Sequence, residues 1–137
     1  MKDEVVIITG ASSGIGKALA CEFAAQGYKL VLAARRLDLL ENLKNDLAPA
    51  EILAQQTDVS REEECRQLIS ATLERFGRID ILVNNAGISM RAVFENVDLD
   101  VIRKLMNVNF WGTVYCTKYA LPWLLQTKGS VVGIISI

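Results

Sequence analysis

Short apolar runs alternate with amphipathic helical patterns along the whole chain of 137 residues. The first run, Val5–Thr9, is apolar up to its final threonine, which is typical of a strand buried on both faces of a sheet. Later runs predict four more strands, at Lys29–Ala34, Glu51–Gln56, Ile79–Val83 and Ser130–Ile135. Strands that alternate with helices through short connections predict an α/β fold with a parallel sheet.

The segments between these strands carry helix signals. The first helix is predicted from about Gly14 to Gln26, with Gly27 as its C-terminal stop. The second begins with leucines at helical spacing from Leu37 and ends before Pro49. Helices between successive strands cover both faces of a parallel sheet. We therefore predict a doubly wound sheet in three α/β/α layers, formed by one domain over residues 1–137.

Two later helices carry capping signals. Ser60 and Glu63 match a capping box, in which each side chain satisfies a free backbone N–H at the start of a helix. Asp98 is predicted to cap a segment that leads into a long helix reaching about Leu125. Pro122 is predicted to disturb the last turns of that helix, because proline has no backbone N–H to donate.

Composition excludes several classes of protein. Hydrophobic residues make up 51% of the chain and charged residues 23%, which is typical of a globular protein rather than a disordered one. Fifteen basic and sixteen acidic residues nearly cancel, so the charge balance favours neither nucleic acid nor an anionic membrane as a partner. No apolar stretch approaches the roughly 20 residues that span a bilayer. Residues Met1–Glu4 lead directly into a strand, which predicts that there is no signal peptide.

Cysteine and histidine usage narrows the chemistry further. The three cysteines, Cys21, Cys65 and Cys116, are far apart and odd in number, a pattern that favours a reducing compartment over a disulfide framework. The chain has no histidine, which excludes Ser-His-Asp catalysis and the usual His/Cys zinc sites. These features together predict a cytoplasmic protein.

A glycine-rich turn joins the first strand to the first helix. Gly10 permits a tight exit from the strand, Gly14 lets backbone approach a pyrophosphate, and Gly16 lets the helix pack close to the sheet. The start of the helix offers free N–H groups and a positive dipole end to phosphates, and Ser12 and Ser13 add hydroxyl donors. The alternative is a glycine turn that serves only the backbone, but the strand before it and the helix after it favour dinucleotide binding.

Four motifs in order resemble the short-chain dehydrogenase/reductase family. They are the turn Thr9–Gly16, the tetrad Asn84–Gly87 after the fourth strand, the segment Asn107–Gly112, and the strand that leads to Ser136. The resemblance covers the whole chain and implies a Rossmann-like fold. It also implies hydride transfer between a nicotinamide and a carbonyl or alcohol substrate, and assembly into dimers or tetramers. The turn and the resemblance together assign these residues to the cofactor: Gly10, Ser12, Ser13, Gly14, Ile15, Gly16, Arg35, Arg36, Asp58, Val59, Asn85, Ala86 and Gly87.

The end of the second strand favours NADP(H) over NAD(H). An NAD site usually has a carboxylate here for the ribose hydroxyls, and this chain has Ala34 followed by Arg35 and Arg36. A guanidinium binds the extra phosphate of NADP through paired charge-assisted hydrogen bonds. Many NADP-using family members also carry a basic residue inside the glycine turn, where this chain has Ser13. The alternative is that the arginines only solvate a loop and begin a helix.

The resemblance also assigns parts of the cofactor site that lie beyond these motifs. Asp58 and Val59 match the position that contacts the adenine, although Asp58 could instead cap a turn. Asn85–Gly87 are expected to line the ribose side of the cofactor. The amide of Asn84 is expected to brace the strands instead.

The catalytic set implied by the resemblance is incomplete in this chain. Asn109 matches the asparagine that holds a water in the proton relay, and we expect it to face the core rather than the helix surface. Ser136 matches the serine that bonds the substrate oxygen. The Tyr-x-x-x-Lys pair is absent, because Tyr115 and Lys118 have the wrong spacing and the chain ends at Ile137.

Three expectations follow from the missing pair. The chain is predicted to be truncated before the Tyr-x-x-x-Lys motif and to bind the cofactor without turnover. The alternative is a non-catalytic dinucleotide-binding or interaction module. Residues Val131–Ile135 are predicted to form an exposed apolar edge of the sheet, which would favour association between copies of the chain.

Overall fold

The computed structural model describes residues 2–135 of the chain. The strands within these residues are β1 (Val5–Thr9), β2 (Lys29–Ala34), β3 (Ile52–Gln56), β4 (Ile81–Asn84) and β5 (Ser130–Gly133). The α-helices are α1 (Gly14–Ala25), α2 (Leu37–Asp46), α3 (Glu62–Phe76), α4 (Leu99–Met106) and α5 (Gly112–Thr127). A 3₁₀ turn (Phe94–Asn96) precedes α4, and a π-helical segment (Asn107–Trp111) joins α4 to α5.

All the strand pairs in the described residues are parallel, and the strand order is β3-β2-β1-β4-β5. β1 lies at the centre, with Ile7 opposite Val31 of β2 on one side and Leu82 of β4 on the other. The chain therefore winds first to one side of β1 and then to the other. This arrangement confirms the predicted Rossmann-like, doubly wound α/β fold.

Helices cover both faces of the sheet, which explains why β1 is apolar almost throughout. Ile7 belongs to a core shared with Cys65 of α3 and Cys116 of α5. The next residue, Ile8, points the other way into a core shared with Ala20 of α1 and other residues of α1 and α2. Successive residues of a strand alternate between faces, so a strand with two covered faces needs apolar side chains at every position.

One buried carboxylate fixes the amino ends of β1 and β4. Asp80 is 7% exposed, and its Oδ2 accepts hydrogen bonds from the Val5 backbone N–H at 2.8 Å and from Arg78 Nε at 2.9 Å. Arg78 Nη2 binds the other oxygen at 2.6 Å, and this hydrogen bond raises the pKa of Arg78. The bidentate pair holds the Asp80 carboxylate in place. The bond from the Val5 N–H, together with the bond that the Asp80 N–H donates to the Val5 carbonyl at 2.9 Å, ties the start of β1 to the segment before β4.

The predicted capping box is wrong. α3 begins at Glu62, and the side chain of the preceding Arg61 makes no capping bond. The backbone N–H and the hydroxyl of Ser60 both bind Asp58 Oδ1, at 3.0 and 2.7 Å, so the serine is not available to the helix. Glu64 accepts from the Asp58 N–H at 3.0 Å. A carboxylate two residues before the serine forms an Asx turn, and this turn replaces the box.

The long helix differs from its prediction in two ways. It is interrupted by the π-helical segment, and it runs through Pro122 without a break to Thr127. The residue after the helix, Lys128, caps it in a left-handed conformation with φ of 54°. The Gly129 N–H then closes the helix by donating to the Leu124 carbonyl at 2.8 Å.

β5 forms one edge of the sheet, as predicted, although the strand ends at Gly133 rather than at Ile135. Val131 is 46% exposed and Val132 is 39% exposed. An apolar parallel strand exposed in this way offers unpaired backbone groups and apolar surface to another strand. No helix within residues 2–135 is both long enough and apolar enough to cross a lipid bilayer.

Candidate functional site

A cleft of about 370 Å³ lies at the carboxyl ends of the central strands. Its walls follow directly after β1, β2 and β4, at the point where the winding of the chain reverses direction. In open α/β sheets this is where ligands bind. The residues that line it are Gly10, Ser12, Ser13, Ala34, Arg35, Arg36, Leu39, Thr57, Val59, Asn85, Ala86, Gly87, Ile88 and Val108.

Nine of the thirteen predicted cofactor residues line this cleft, and four do not. The four are Gly14, Ile15, Gly16 and Asp58. Gly14 and Ile15 are exposed in the first turn of α1, beside the cleft, whereas Gly16 is buried beneath the glycine turn. Ser136 lies outside the described residues.

Gly10 and Gly16 are required because backbone approaches them closely. A Cβ on Gly10 would lie 2.8 Å from the Ala86 Cα, and Gly10 also has a φ of 65°. A Cβ on Gly16 would collide with the Gly10 carbonyl oxygen, which is backbone and cannot rotate away. These contacts hold the start of α1 against the ends of β1 and β4.

The first turn of α1 is open to an anion. The residue before the helix, Ser13, is extended with φ of −159° and ψ of 171°, and its hydroxyl makes no capping bond. The first-turn N–H groups therefore have no side-chain partner within residues 2–135, and the turn contains no acidic residue. Free N–H groups and the positive end of the helix dipole favour a phosphate at this point, so the residues present fit a dinucleotide pyrophosphate.

Thr9 and Asn85 connect the glycine turn to the loop after β4. Thr9 Oγ1 accepts hydrogen bonds from the backbone N–H groups of Asn85 and Ala86, both at 3.0 Å. In return, Asn85 Nδ2 donates to the carbonyl oxygens of Thr9 and Gly10, both at 3.1 Å. The Asn85 amide is therefore committed to bracing the turn. The Asn84 amide does not brace two strands as expected; its Nδ2 donates to Thr117 Oγ1 at 3.1 Å and so ties β4 to α5.

Sequence reasoning missed the role of Thr9. Its side chain is 2% exposed, and its hydroxyl is the acceptor for both N–H groups at the start of the loop. The signal was a threonine as the last residue of an otherwise apolar strand. A hydroxyl at that position is placed to bond the backbone of a neighbouring loop.

The two arginines after β2 are in different electrostatic states. Arg36 Nη2 binds Asp38 Oδ2 at 2.8 Å, and this hydrogen bond lowers the pKa of the Asp38 carboxyl. Arg35 makes no ion pair with any residue in the range 2–135. Its backbone carbonyl is anchored by Gln56 Nε2 at 3.1 Å. Arg35 thus carries the unpaired positive charge on this wall of the cleft, and Arg36 is already partly neutralised.

Asp58 and Val59 lie on different sides of the loop that follows β3. Val59 is 7% exposed and lines the cleft, and a Cβ on Gly112 of α5 would lie 2.7 Å from Val59 Cγ2. Asp58 is outside the cleft lining and accepts the two hydrogen bonds from Ser60. The turn-capping alternative for Asp58 is therefore present, and its contact with adenine stays a prediction.

Asn109 lies in the π-helical segment and clamps the loop after β4. Its Oδ1 accepts from the Ile88 N–H at 2.8 Å and its Nδ2 donates to the Ile88 carbonyl at 2.8 Å. The expectation that Asn109 faces the core is wrong, because the residue is exposed in the described chain. The side chain, which belongs to the π-helical segment, is directed at the loop after β4 rather than at the core.

Comparisons with known proteins identify the family of the chain. The family model for short chain dehydrogenase matches residues 4–137. 11-beta-hydroxysteroid dehydrogenase A of Sesamum indicum is 46% identical over an alignment that covers 97% of this chain and 39% of that protein. 11-beta-hydroxysteroid dehydrogenase 1A of Arabidopsis thaliana is 43% identical, with coverage of 97% and 39%. The chain thus spans about two fifths of the length of these curated relatives.

Solved structures give the same result. An alcohol dehydrogenase from the archaeon Thermococcus sibiricus, complexed with 5-hydroxy-NADP, superposes with a TM-score of 0.93 at 34% identity, over 95% of this chain and 57% of that one. A short-chain dehydrogenase from Streptomyces avermitilis superposes with a TM-score of 0.93 at 34% identity, over 99% and 50%. With the family model matching nearly every residue, the chain belongs to the short chain dehydrogenase family.

Proposed function

We propose that this chain is the cofactor-binding part of an NADP(H)-dependent oxidoreductase that acts on a carbonyl or alcohol carbon. The observation that carries the proposal is the open first turn of α1 at one end of a cleft whose other wall presents the unpaired Arg35. The first feature fits a pyrophosphate, and the second fits an additional phosphate on the adenosine ribose. The names of the curated relatives, which are hydroxysteroid dehydrogenases, support the CH–OH/C=O substrate class.

Each wall of the cleft has a defined task in this proposal. The N–H groups of the first turn of α1 and the hydroxyls of Ser12 and Ser13 hold the pyrophosphate. Asn85–Gly87 form the wall beside the nicotinamide ribose, and Asn109 positions this wall through its two bonds to Ile88. The bound cofactor supplies the hydride. The protein's contribution is to hold the donor and acceptor carbons in contact and to exclude water from them.

The side chain of Asn109 acts as a positioning group in this arrangement, since both of its polar atoms are bonded to backbone. The family resemblance adds two roles that form part of the proposal: Asn109 also holds a water of the proton relay, and Ser136 bonds the substrate oxygen. An acid–base tyrosine titrates near about 10 in water and needs positive neighbours to act near neutral pH. The 137 residues contain no Tyr-x-x-x-Lys pair to meet that need.

We therefore expect residues 1–137 to bind NADPH and to reduce no carbonyl compound above background. NADPH binding is measured by the enhancement of its fluorescence, and turnover by the loss of its absorbance in the presence of ketone and aldehyde substrates. Binding without turnover supports the proposal. Turnover well above background by the purified chain would show that the tyrosine is not needed.

The rival function is a non-catalytic dinucleotide-binding or interaction module. The coding sequence that follows Ile137 separates the two. A Tyr-x-x-x-Lys motif shortly downstream identifies a part of an enzyme, and a stop codon at that point favours the module.

Arg35→Ala is expected to weaken NADPH binding about tenfold and to leave NADH binding unchanged. The substitution removes a charge-assisted hydrogen bond worth about 1.5 kcal/mol, and about 1.4 kcal/mol corresponds to a factor of ten in affinity. The two cofactors are titrated in parallel by fluorescence at fixed ionic strength. Arg75→Ala is the matched control. Arg75 is an exposed arginine at the end of α3, just before the amino end of β4, and it does not line the cofactor cleft. Equal binding of NADH and NADPH, together with no effect of Arg35→Ala, would remove the case for NADP(H).

Homo-oligomerisation and a cytoplasmic location are part of the same proposal. The described residues expose several large apolar side chains from the 3₁₀ turn to β5. Among them are Phe94, Leu99, Met106, Phe110, Trp111, Leu121, Leu125 and Val131. Apolar surface of this extent favours association between subunits. Sedimentation of the purified chain gives its oligomeric state.

A further inference from the structure

A second cavity lies near the amino ends of the strands, whereas the cofactor cleft lies at their carboxyl ends. Its volume is about 420 Å³, within the range of pockets that take small organic molecules. It lies between the C-terminal half of α1, the start of β2 and the connection from α2 to β3. Much of its wall is apolar, from Ala24, Ala25, Leu47 and Pro49. The proposed hydride-transfer function does not use this cavity.

One wall of the cavity carries an aromatic face that already binds an ammonium group. The Lys2 Nζ lies 4.1 Å from the centroid of the Tyr28 ring. The ring is held in place by Phe23, edge to face, with centroids 5.2 Å apart and an interplanar angle of 88°. A cation near a tyrosine face is attracted by the negative face of the ring quadrupole. The contact with Lys2 shows which kind of group this ring can bind.

The charges around the cavity favour a cation over an anion. Asp46 lines the cavity and forms no ion pair with any residue from 2 to 135. Lys29, the other lysine of the lining, is already shared between two carboxylates, at 3.8 Å from Asp3 and 3.7 Å from Glu51. An entering anion would meet Asp46 without a free basic partner other than Lys2, whereas an entering ammonium would find both a carboxylate and a ring face.

We propose that this cavity binds a small organic ammonium compound with an apolar body. The ammonium lies over the Tyr28 ring near Asp46, and the apolar body packs against Ala24 and Leu47. The ligand displaces the Lys2 side chain, which is an intramolecular competitor for the same ring face. The Lys2 backbone stays at the rim, since its N–H donates to the Gly27 carbonyl at 3.0 Å.

Benzylammonium and its neutral counterpart of similar shape, benzyl alcohol, test this proposal on the 137-residue chain. Cys21 lines the cavity and is exposed, whereas Cys65 and Cys116 are buried. The rate of Cys21 alkylation by iodoacetamide therefore reports whether the cavity is filled. Benzylammonium is expected to slow alkylation in a saturable manner, and benzyl alcohol is expected to protect at least about twofold less well at equal concentration, because it lacks the cation–π attraction.

Three substitutions are expected to change this protection, in opposite directions. Asp46→Asn and Tyr28→Leu should weaken benzylammonium binding, and Lys2→Ala should strengthen it by removing the competing ammonium. Each change is expected to be about twofold to fivefold, which corresponds to the 0.5–1 kcal/mol of an exposed cation–π contact. Arg75→Ala, which is also near the amino ends of the strands but outside the cavity lining, should not change the protection of Cys21 by benzylammonium.

Several results would overturn the proposal. Equal protection by the alcohol would show a merely apolar cleft, and no protection would show no binding. A weaker affinity in Lys2→Ala would show that Lys2 is a partner for the ligand and not its competitor. If Tyr28→Leu does not fold, the exposed Asp46 and the half-buried Lys2 still decide the outcome. The NADPH titration is a separate measurement, so this proposal and the proposed function fail independently.

Discussion

Gly16→Ala is expected to lower the affinity of the chain for NADPH about a hundredfold. The added methyl collides with the Gly10 carbonyl oxygen and also meets the Asn85 amide, so the glycine turn must separate from α1. Overpacking of this kind costs about 1–3 kcal/mol, and the upper end corresponds to about a hundredfold in affinity. The fluorescence titration with NADPH measures the loss.

Gly133→Ala is the matched control for this substitution. Among the described residues, nothing lies within 4 Å of a Cβ at Gly133, and this glycine does not have a positive φ. NADPH affinity should therefore stay within about twofold, since surface changes without new contacts usually cost less than about 0.5 kcal/mol. Circular dichroism of both variants separates loss of the site from loss of the fold. Unchanged NADPH binding by folded Gly16→Ala would contradict the assigned role of the turn.

Thr9→Val is expected to lower the free energy of unfolding by about 3 kcal/mol. Valine has nearly the same shape as threonine but accepts no hydrogen bond, so the N–H groups of Asn85 and Ala86 both lose their partner. An unsatisfied donor away from water costs about 1–3 kcal/mol. Urea unfolding followed by circular dichroism measures the change.

Thr72→Val is the control, since Thr72 is also fully buried. Its hydroxyl donates to the Leu68 carbonyl at 2.8 Å, within α3, and accepts no hydrogen bond from a backbone N–H in the described part of the chain. The loss of a donor to a helix carbonyl leaves no N–H without a partner, so this variant should lose about 1 kcal/mol or less. Equal destabilisation of the two variants would show that acceptance by Thr9 is not the important feature.

The fold was predictable because its signals are local. Val5–Thr9 needs apolar residues at every position since both faces of β1 are covered, and that requirement is visible in the sequence itself. The glycine turn was predictable for the same reason, as Gly10 and Gly16 stand where backbone must approach backbone. Residue identity carries the information in both cases.

The parts that were not predictable depend on competition between partners. Glu63 stands three positions after Ser60, as a capping box requires. The Ser60 hydroxyl nevertheless bonds to Asp58 and not to the helix. Arg35 and Arg36 are the same residue type. Only the position of Asp38, which pairs with Arg36, makes Arg36 less available to a phosphate than Arg35. Spacing along the chain identifies the groups that could bond to each other, and three-dimensional distance determines which of them do.

The π-helical segment was hidden for another physical reason. An α-helix and a helix with one wide turn contain the same residue types, and the apolar periodicity shifts by only one position. Asn109 lies in this segment, and its side chain bonds to the Ile88 backbone rather than facing the core. A helix assignment from sequence is therefore correct here in type and wrong in the direction of the Asn109 side chain.

The strand order β3-β2-β1-β4-β5 has a consequence for synthesis on the ribosome. β1 emerges first and lies at the centre, and each later strand pairs with a strand that has already emerged. Among the five described strands, none has to insert between two others. The nascent chain can thus extend this part of the sheet outwards at the pace of translation, first from β1 to β3 on one side and then from β1 to β5 on the other.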